Sequence, residues 1–229
     1  MKLAIMQPYL FPYVGYWQLV NAVDTFVIYD DVNFIKRGYI NKNSILVNNE
    51  PKSFTLELSK ASQNKLINEI EVGSNSGKIL NIIEQNYSKA PYFNAVYPIL
   101  EEILLQDEKN LAKFVGFSIE NISEYLKIST KFIYSSNIDK DNSLRGQEKV
   151  LEIAKKLEAT NYINAIGGKE LYNKDAFQKE RIKLNFLETE QFEYQQFKNE
   201  FIPNLSIVDI MMFNSVEDIQ TILSRYKLV

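Results

Sequence analysis

The 229-residue sequence predicts an α/β protein with a parallel-sheet core and a helical insertion near residues 77–127, and three observations carry that expectation. Short apolar or β-branched runs recur at 3–6, 25–29, 131–135 and 183–187, the length of buried strands. Amphipathic helical segments separate them, and the stretch from residue 77 to 127 reads as helix throughout, broken at Pro91. No Pro/Gly/Ser-rich linker or internal repeat divides the chain, so residues 1–229 read as one domain.

Leu3–Met6 reads as a buried strand, and the following Gln7-Pro8-Tyr9-Leu10-Phe11-Pro12 carries two prolines that forbid a helix there. Gly15–Val23 has helical spacing, with Trp17, Leu19, Val20 and Val23 as apolar positions. Thr25–Tyr29 is a second buried strand. Strand, loop, helix and strand make a βαβ unit, so 3–6 and 25–29 should be adjacent and parallel. Residues 44–58 read as two strands around Asn-Asn-Glu-Pro, with Phe54, Leu56 and Leu58 alternating with polar residues. The Ser-, Asn- and Lys-rich stretch 59–75 reads as a loop. Helices are expected at 77–88, 94–105, 110–127 and 142–157, a strand running into a Gly-Gly turn at 162–168, and a helix over 204–213 with Ser206 or Asn204 as its N-cap.

Composition narrows the chemistry. The chain has no histidine and no cysteine. This excludes Ser-His-Asp and Cys-His machinery and zinc sites built on those residues. A general base must be Asp, Glu, Lys or Tyr, and a metal would be Mg²⁺ or Ca²⁺ on oxygen ligands. The net charge of −3 gives no global footprint for double-stranded nucleic acid. The opening apolar run is too short for a signal peptide and no window reaches 18 apolar residues, so the expectation is a cytoplasmic protein without membrane insertion.

Two polar clusters follow the first two strands and should project from the same end of the sheet, where open parallel sheets bind ligands. The first is Gln7 to Tyr16, at the opening of a helix whose free N–H groups favour anions, with Gly15 allowing close approach. The second is Asp30-Asp31-Val-Asn-Phe-Ile-Lys36-Arg37-Gly-Tyr-Ile-Asn41-Lys42-Asn43. Its carboxylates can take a proton or hold a metal, and Arg37 can grip phosphate with two parallel hydrogen bonds while Lys36 adds a point charge. Side-chain alternation should turn only one of Asp30 and Asp31 into the cleft, and its desolvation should raise its pKa. A third group comprises Gly167-Gly168-Lys169, Tyr172, Tyr194, Gln196, Ser206 and Asp209. Gly167-Gly168 lacks the spacing of a phosphate loop, so a plain turn is the simpler reading, and Ser206 with Asp209 has the spacing of a helix cap with a first-turn acid.

The strings Gln-Pro-Tyr-Leu-Phe-Pro-Tyr-Val-Gly-Tyr and Tyr-Asp-Asp-Val-Asn-Phe-Ile-Lys-Arg-Gly-Tyr-Ile-Asn-Lys-Asn resemble the opening of the WbqC-like family. Further similar segments are Lys-Ala-Pro-Tyr-Phe at 89–93, Tyr-Ile-Asn-Ala-Ile-Gly-Gly at 162–168, Tyr194-x-Gln196, and Phe-Ile-Pro-Asn-Leu-Ser-Ile-Val-Asp-Ile-Met-Met-Phe-Asn at 201–214. Lys42 stands where the family usually has Arg. The resemblance implies a place in bacterial surface-polysaccharide or O-antigen synthesis, and transfer of glycine, or of a glycyl group from an activated donor, onto a nucleotide-linked amino sugar. It carries Gln7, Asp30, Asp31, Arg37, Asn41, Tyr172, Tyr194, Gln196, Ser206 and Asp209 over as site residues.

Tyr13-Val14-Gly15-Tyr16 also has the spacing of the His-x-Gly-His motif of nucleotidylyltransferases and class I aminoacyl-tRNA synthetases, at the matching place after the first strand. That similarity implies a Rossmann-like core of the HUP/nucleotidylyltransferase type, with ATP and Mg²⁺ as candidate cofactors. Three functions therefore compete: a glycyl N-transferase with Asp30 or Asp31 as base, a nucleotidylyltransferase-like enzyme with another substrate, and a non-catalytic partner of the polysaccharide machinery.

Overall fold

The computed structural model describes residues 1–197 and 200–229. Its strands are β1 (Lys2–Met6), β2 (Thr25–Ile28), β3 (Lys42–Val47), β4 (Glu50–Thr55), β5 (Leu58–Ser59), β6 (Glu71–Val72), β7 (Lys131–Tyr134), β8 (Asn161–Ala165), β9 (Lys183–Thr189) and β10 (Tyr226–Leu228). Its helices are α1 (Val14–Asn21), α2 (Ser76–Tyr87), α3 (Phe93–Leu105), α4 (Leu111–Tyr125), α5 (Gly146–Lys156), α6 (Lys174–Lys179), α7 (Ile207–Phe213) and α8 (Val216–Leu223).

The central sheet runs β10-β9-β8-β1-β2-β7. All its pairings are parallel except β9 with β10. The expected parallel pairing of the first two strands is present, with Leu3 opposite Thr25 and Met6 opposite Ile28. Alternation along these strands feeds two cores. Ala4, Phe26 and Ile28 join the larger one, with residues of α1–α4, α7 and α8. Leu3, Ile5 and Val27 join the smaller one, with residues of α5 and α6. A sheet buried on both faces needs apolar residues at successive positions, which is why the strand signal in the sequence is a run rather than an alternation.

The three helices α2–α4 occupy the stretch expected to be helical. The two strands expected at 44–58 are an antiparallel hairpin, β3 against β4, turning on Asn48 and Asn49, both in the left-handed region (φ 54° and 63°). Three readings need correction. The helix expected from residue 142 begins at Gly146, because the Asp141 carboxylate accepts the Ser143 N–H in a local turn. The 59–75 stretch holds the short β5–β6 pair and a 3-10 turn at 67–69 rather than plain loop. Gly167-Gly168 lie inside a 3-10 segment, 166–171, that continues from β8. Helices α6 and α8 and the edge strand β10 are additional elements. No helix among the described residues is long and apolar enough to cross a membrane.

Candidate functional site

The carboxyl ends of β1, β2, β7 and β8 lie on one side of the sheet, and Asp30-Asp31 follow β2 there. The two carboxylates line different cavities, one of about 590 Å³ and one of about 300 Å³, that meet at Ser136 just beyond β7. Both belong to the site edge, so the choice of a single cleft-facing carboxylate does not arise.

Asp30 is 2% exposed and fully engaged. Its Oδ1 accepts the Ser136 N–H at 2.9 Å; its Oδ2 accepts the Ser136 hydroxyl at 2.6 Å and the Asn68 amide at 3.2 Å. Asp30 therefore fixes the hydroxyl that both cavities share. Beside it in the larger cavity stand Glu108, Glu120 and Tyr134, with Lys113 the one cation lining it among the described residues. The Tyr134 ring packs onto α4 where Gly116 leaves room; a Cβ there would come within 2.8 Å of the ring. Burial, then the nearby Glu120, Asp30 and Glu108 carboxylates, push the Tyr134 phenol up, and burial raises Glu120 as well. This cavity is acidic.

The smaller cavity is basic. Asp31 Oδ2 sits 2.8 Å from Lys140 Nζ and 3.1 Å from Lys149 Nζ, with side chains only 9%, 1% and 4% exposed. Lys149 also donates to the Asp31 backbone carbonyl at 2.9 Å and lies over the Tyr29 ring. Lys140 donates to the Ser135 and Ile138 carbonyls. Burial pushes the Asp31 carboxyl up, but the Lys140 and Lys149 ammonium groups outweigh it and hold the carboxyl below its usual value. That direction is the reverse of the raised pKa expected from desolvation alone. Arg145 and the first turn of α5 complete the wall. Lys149 and Arg145 line this cavity beside the low-pKa Asp31 carboxylate, which Lys140 backs from behind, and the helix N-terminus favours anions.

The remaining sequence-predicted residues divide between loop and scaffold. Lys36 and Arg37 are exposed and, among the described residues, have no ion pair. The Asn41 amide donates to the Leu56 carbonyl at 2.8 Å and pins the loop. Tyr16 is 3% exposed and donates to the Gln7 carbonyl at 3.1 Å. The space above Gly15 is filled by the Tyr13 ring, 2.6 Å from where a Cβ would stand. Tyr172 packs edge-on against Tyr162 and Phe177.

Tyr194, Gln196 and Asp209 form one buried network. Asp209 is 0% exposed and accepts Tyr87 OH at 2.7 Å, Tyr194 OH at 2.6 Å and the Gln196 amide at 2.7 Å. Burial raises its pKa against the opposing effect of those three bonds. Ser206 caps α7 by accepting the Val208 N–H and donates to the Phe11 carbonyl at 2.8 Å. The Asn43 amide reaches the same carbonyl at 2.7 Å. Phe11 itself is left-handed (φ 46°), a conformation that persists in a bulky residue only when its surroundings impose it. Ser206 and Asn43 thus lock the Gln7–Tyr13 loop.

The reading from sequence missed Ser136, Lys140, Lys149, Arg145, Glu108, Glu120 and Tyr134. Lys149 carried a signal: it lies four residues before Ile153 on the apolar face of a helix, where a lysine needs a buried partner.

These features define an α/β protein with a mostly parallel sheet and a charged, two-cavity site where the strands end. Residues 7–221 match the model of the WbqC-like protein family, and the chain belongs to that family. It is 26% identical over 215 residues to the uncharacterized protein Rv1507c of Mycobacterium tuberculosis (strain ATCC 25618 / H37Rv), covering 92% of each chain. No solved structure matches the chain significantly.

Proposed function

We propose that the chain is a glycyl N-transferase that acylates the amine of a nucleotide-linked amino sugar, as the family resemblance suggests for surface-polysaccharide synthesis. The observation that carries this reading is the division of charge about Ser136. Lys149 and Arg145 stand on one side, with Lys140 behind Asp31, and Asp30, Glu108 and Glu120 stand on the other. A nucleotide-linked amino sugar has the same polarity, with a diphosphate at one end and an ammonium at the other. In this reading the basic cavity, helped by Arg37 and Lys36 from the exposed loop, takes the phosphates. The acidic cavity draws in the amine.

The bound ammonium first gives up one proton to water to become nucleophilic; transfer then forms a bond between the amine nitrogen and the glycyl carbonyl carbon, breaks the carbonyl's bond to its carrier, and releases a second proton from nitrogen. The Ser136 hydroxyl points at Asp30 Oδ2, so it can take that proton while passing its own to Asp30. Asp31 positions the two lysines. Among the described residues no cluster of three or more carboxylates could hold a metal. Mg²⁺ commonly arrives with one or two carboxylates and the substrate phosphates, and ATP with Mg²⁺ would serve to activate glycine. The five parallel strands, taken in chain order, lie as 5-4-1-2-3, which supports a Rossmann-like, HUP-type relationship.

The test is incubation with glycine, ATP and Mg²⁺, and separately with preformed glycyl donors, against a panel of nucleotide-linked amino sugars, read by mass spectrometry. The expected product is one sugar nucleotide heavier by a glycyl residue. Ser136→Ala should lower its formation by roughly a hundredfold in a protein that still folds, with a melting temperature lowered by the loss of the hydroxyl's bond to buried Asp30. Formation of an adenylate with no acylated sugar would favour the nucleotidylyltransferase reading, and no product with any donor would overturn the transferase.

A further inference from the structure

A cavity of about 310 Å³ lies away from the charged site and shares no lining residue with it. It is lined by Tyr9, Pro12, Tyr13, Tyr39, Asn43 and Asn204. Its size is at the lower end of small-ligand sites. None of the six is charged.

Tyr13 and Tyr39 are 40% and 59% exposed, unusual for large rings beside a cavity in a well-packed protein. The three phenols line one space, with the Tyr9 and Tyr39 ring centroids 6.2 Å apart; burial first, then Tyr13 and Tyr39, suppress the acidity of Tyr9, and burial first, then Tyr39, that of Tyr13. Among the described residues none of these hydroxyls, nor the Asn204 amide, has a hydrogen-bond partner. Four free polar groups therefore surround one neutral space. The backbone behind these side chains is tied down. Ser206 and Asn43 fix the Phe11 carbonyl behind Tyr9 and Tyr13, and the Leu10 N–H bonds the Ile40 carbonyl next to Tyr39.

We infer that this cavity binds the pyranose ring of a neutral sugar. Aromatic faces accept the C–H face of such a ring, while phenols and a carboxamide match its several hydroxyls. Tyr9 is tilted 54° to Tyr39, so the two rings do not form a parallel slot that would sandwich a flat nucleobase. The absence of charge in the lining argues against a phosphate or a carboxylate. The inference does not rest on the transferase reading, since no residue of the charged cavities takes part.

The test is saturation-transfer NMR and calorimetry on the full chain with neutral hexopyranoses, N-acetylhexosamines and their short oligomers, and with uridine and adenosine as competing arms. A neutral saccharide should bind with transfer to its ring protons. Tyr39→Ala, at an exposed position that the fold does not need, should abolish that binding. Tyr13→Phe removes one hydroxyl and keeps the ring, and should weaken it roughly five- to tenfold. Ser136→Ala should leave it unchanged. Binding of a nucleoside in place of sugars, binding of no panel member, or sugar binding indifferent to Tyr39→Ala would each overturn the inference.

Discussion

Replacing Asp31 by asparagine should destabilise the protein severely. Lys140 and Lys149 have almost no contact with water, and Asp31 is the carboxylate in ion-pair contact with both. The substitution keeps the shape and removes the charge. Both ammonium groups retain backbone carbonyl partners, so they are not bare, but their charge is left uncompensated in a low-dielectric pocket. Breaking a buried pair in this way costs about 3–5 kcal/mol. For a domain of this length that is a fall in Tm of roughly 6–20 °C. Urea denaturation should show a lower midpoint with an unchanged slope. The double variant Asp31→Asn with Lys149→Met should recover part of the loss, because it removes one of the two orphaned charges. The pH dependence gives a further check. The folded carboxyl lies below its unfolded value, so its contribution is complete above about pH 4 and is lost as pH falls through the folded pKa. Wild type and Asp31→Asn should therefore converge in acid. A loss below about 1 kcal/mol at neutral pH, the value of an exposed pair, would refute this account of the basic cavity.

Asp209→Asn trades an acceptor of three hydrogen bonds for a group that can accept fewer, and should cost about 1–3 kcal/mol. The folded carboxyl is raised, so its stabilisation is complete below the unfolded pKa and lost as pH rises through the folded one. Equilibrium melts of wild type and variant should accordingly draw together with rising pH, and a widening gap would contradict the raised pKa. Arg37→Lys, at an exposed position, should leave the folding midpoint within about 0.5 kcal/mol. It should weaken substrate binding by about 1.5–3 kcal/mol if a charged, two-pronged hydrogen bond is lost; unchanged affinity would remove Arg37 from the site.

Local signals in the sequence were enough for the βαβ start, the β3–β4 hairpin and the α2–α4 helices, because each depends on runs, periods and prolines within about twenty residues. The Asp30-Asp31 pair at the end of β2 was legible for the same reason. What surrounds the pair was not. Asp30 is held by Asn68 and Ser136, and Asp31 by Lys140 and Lys149, which lie 38, 106, 109 and 118 positions further along the chain. The sheet order, with the 67–69 turn and α5 packed at its end, brings them together. Direction of pKa was misjudged on the same account, since desolvation is a property of one residue's burial and the lysines belong to other segments. Gln18 makes the point on a smaller scale. It sits on the apolar helix α1 with nothing nearby in sequence to explain it, yet it is fully buried and bonds the Ile222 and Arg225 carbonyls and the Thr189 hydroxyl.

Strand β1 is made early and finishes late. It lies in the middle of the sheet, and its partner on one side, β2, follows within some twenty residues, but β8 on the other side begins only at Asn161. At a translation rate of about 5–20 residues per second, β1 waits roughly 8–30 s with one row of its backbone hydrogen-bonding groups unpaired. During that interval the nascent chain presents an apolar strand with a free edge, the form most prone to pairing with a neighbouring chain. Helix α1, which packs against β8 and β9 in the finished fold, is the element already made that can shield that edge until the second half of the sheet arrives.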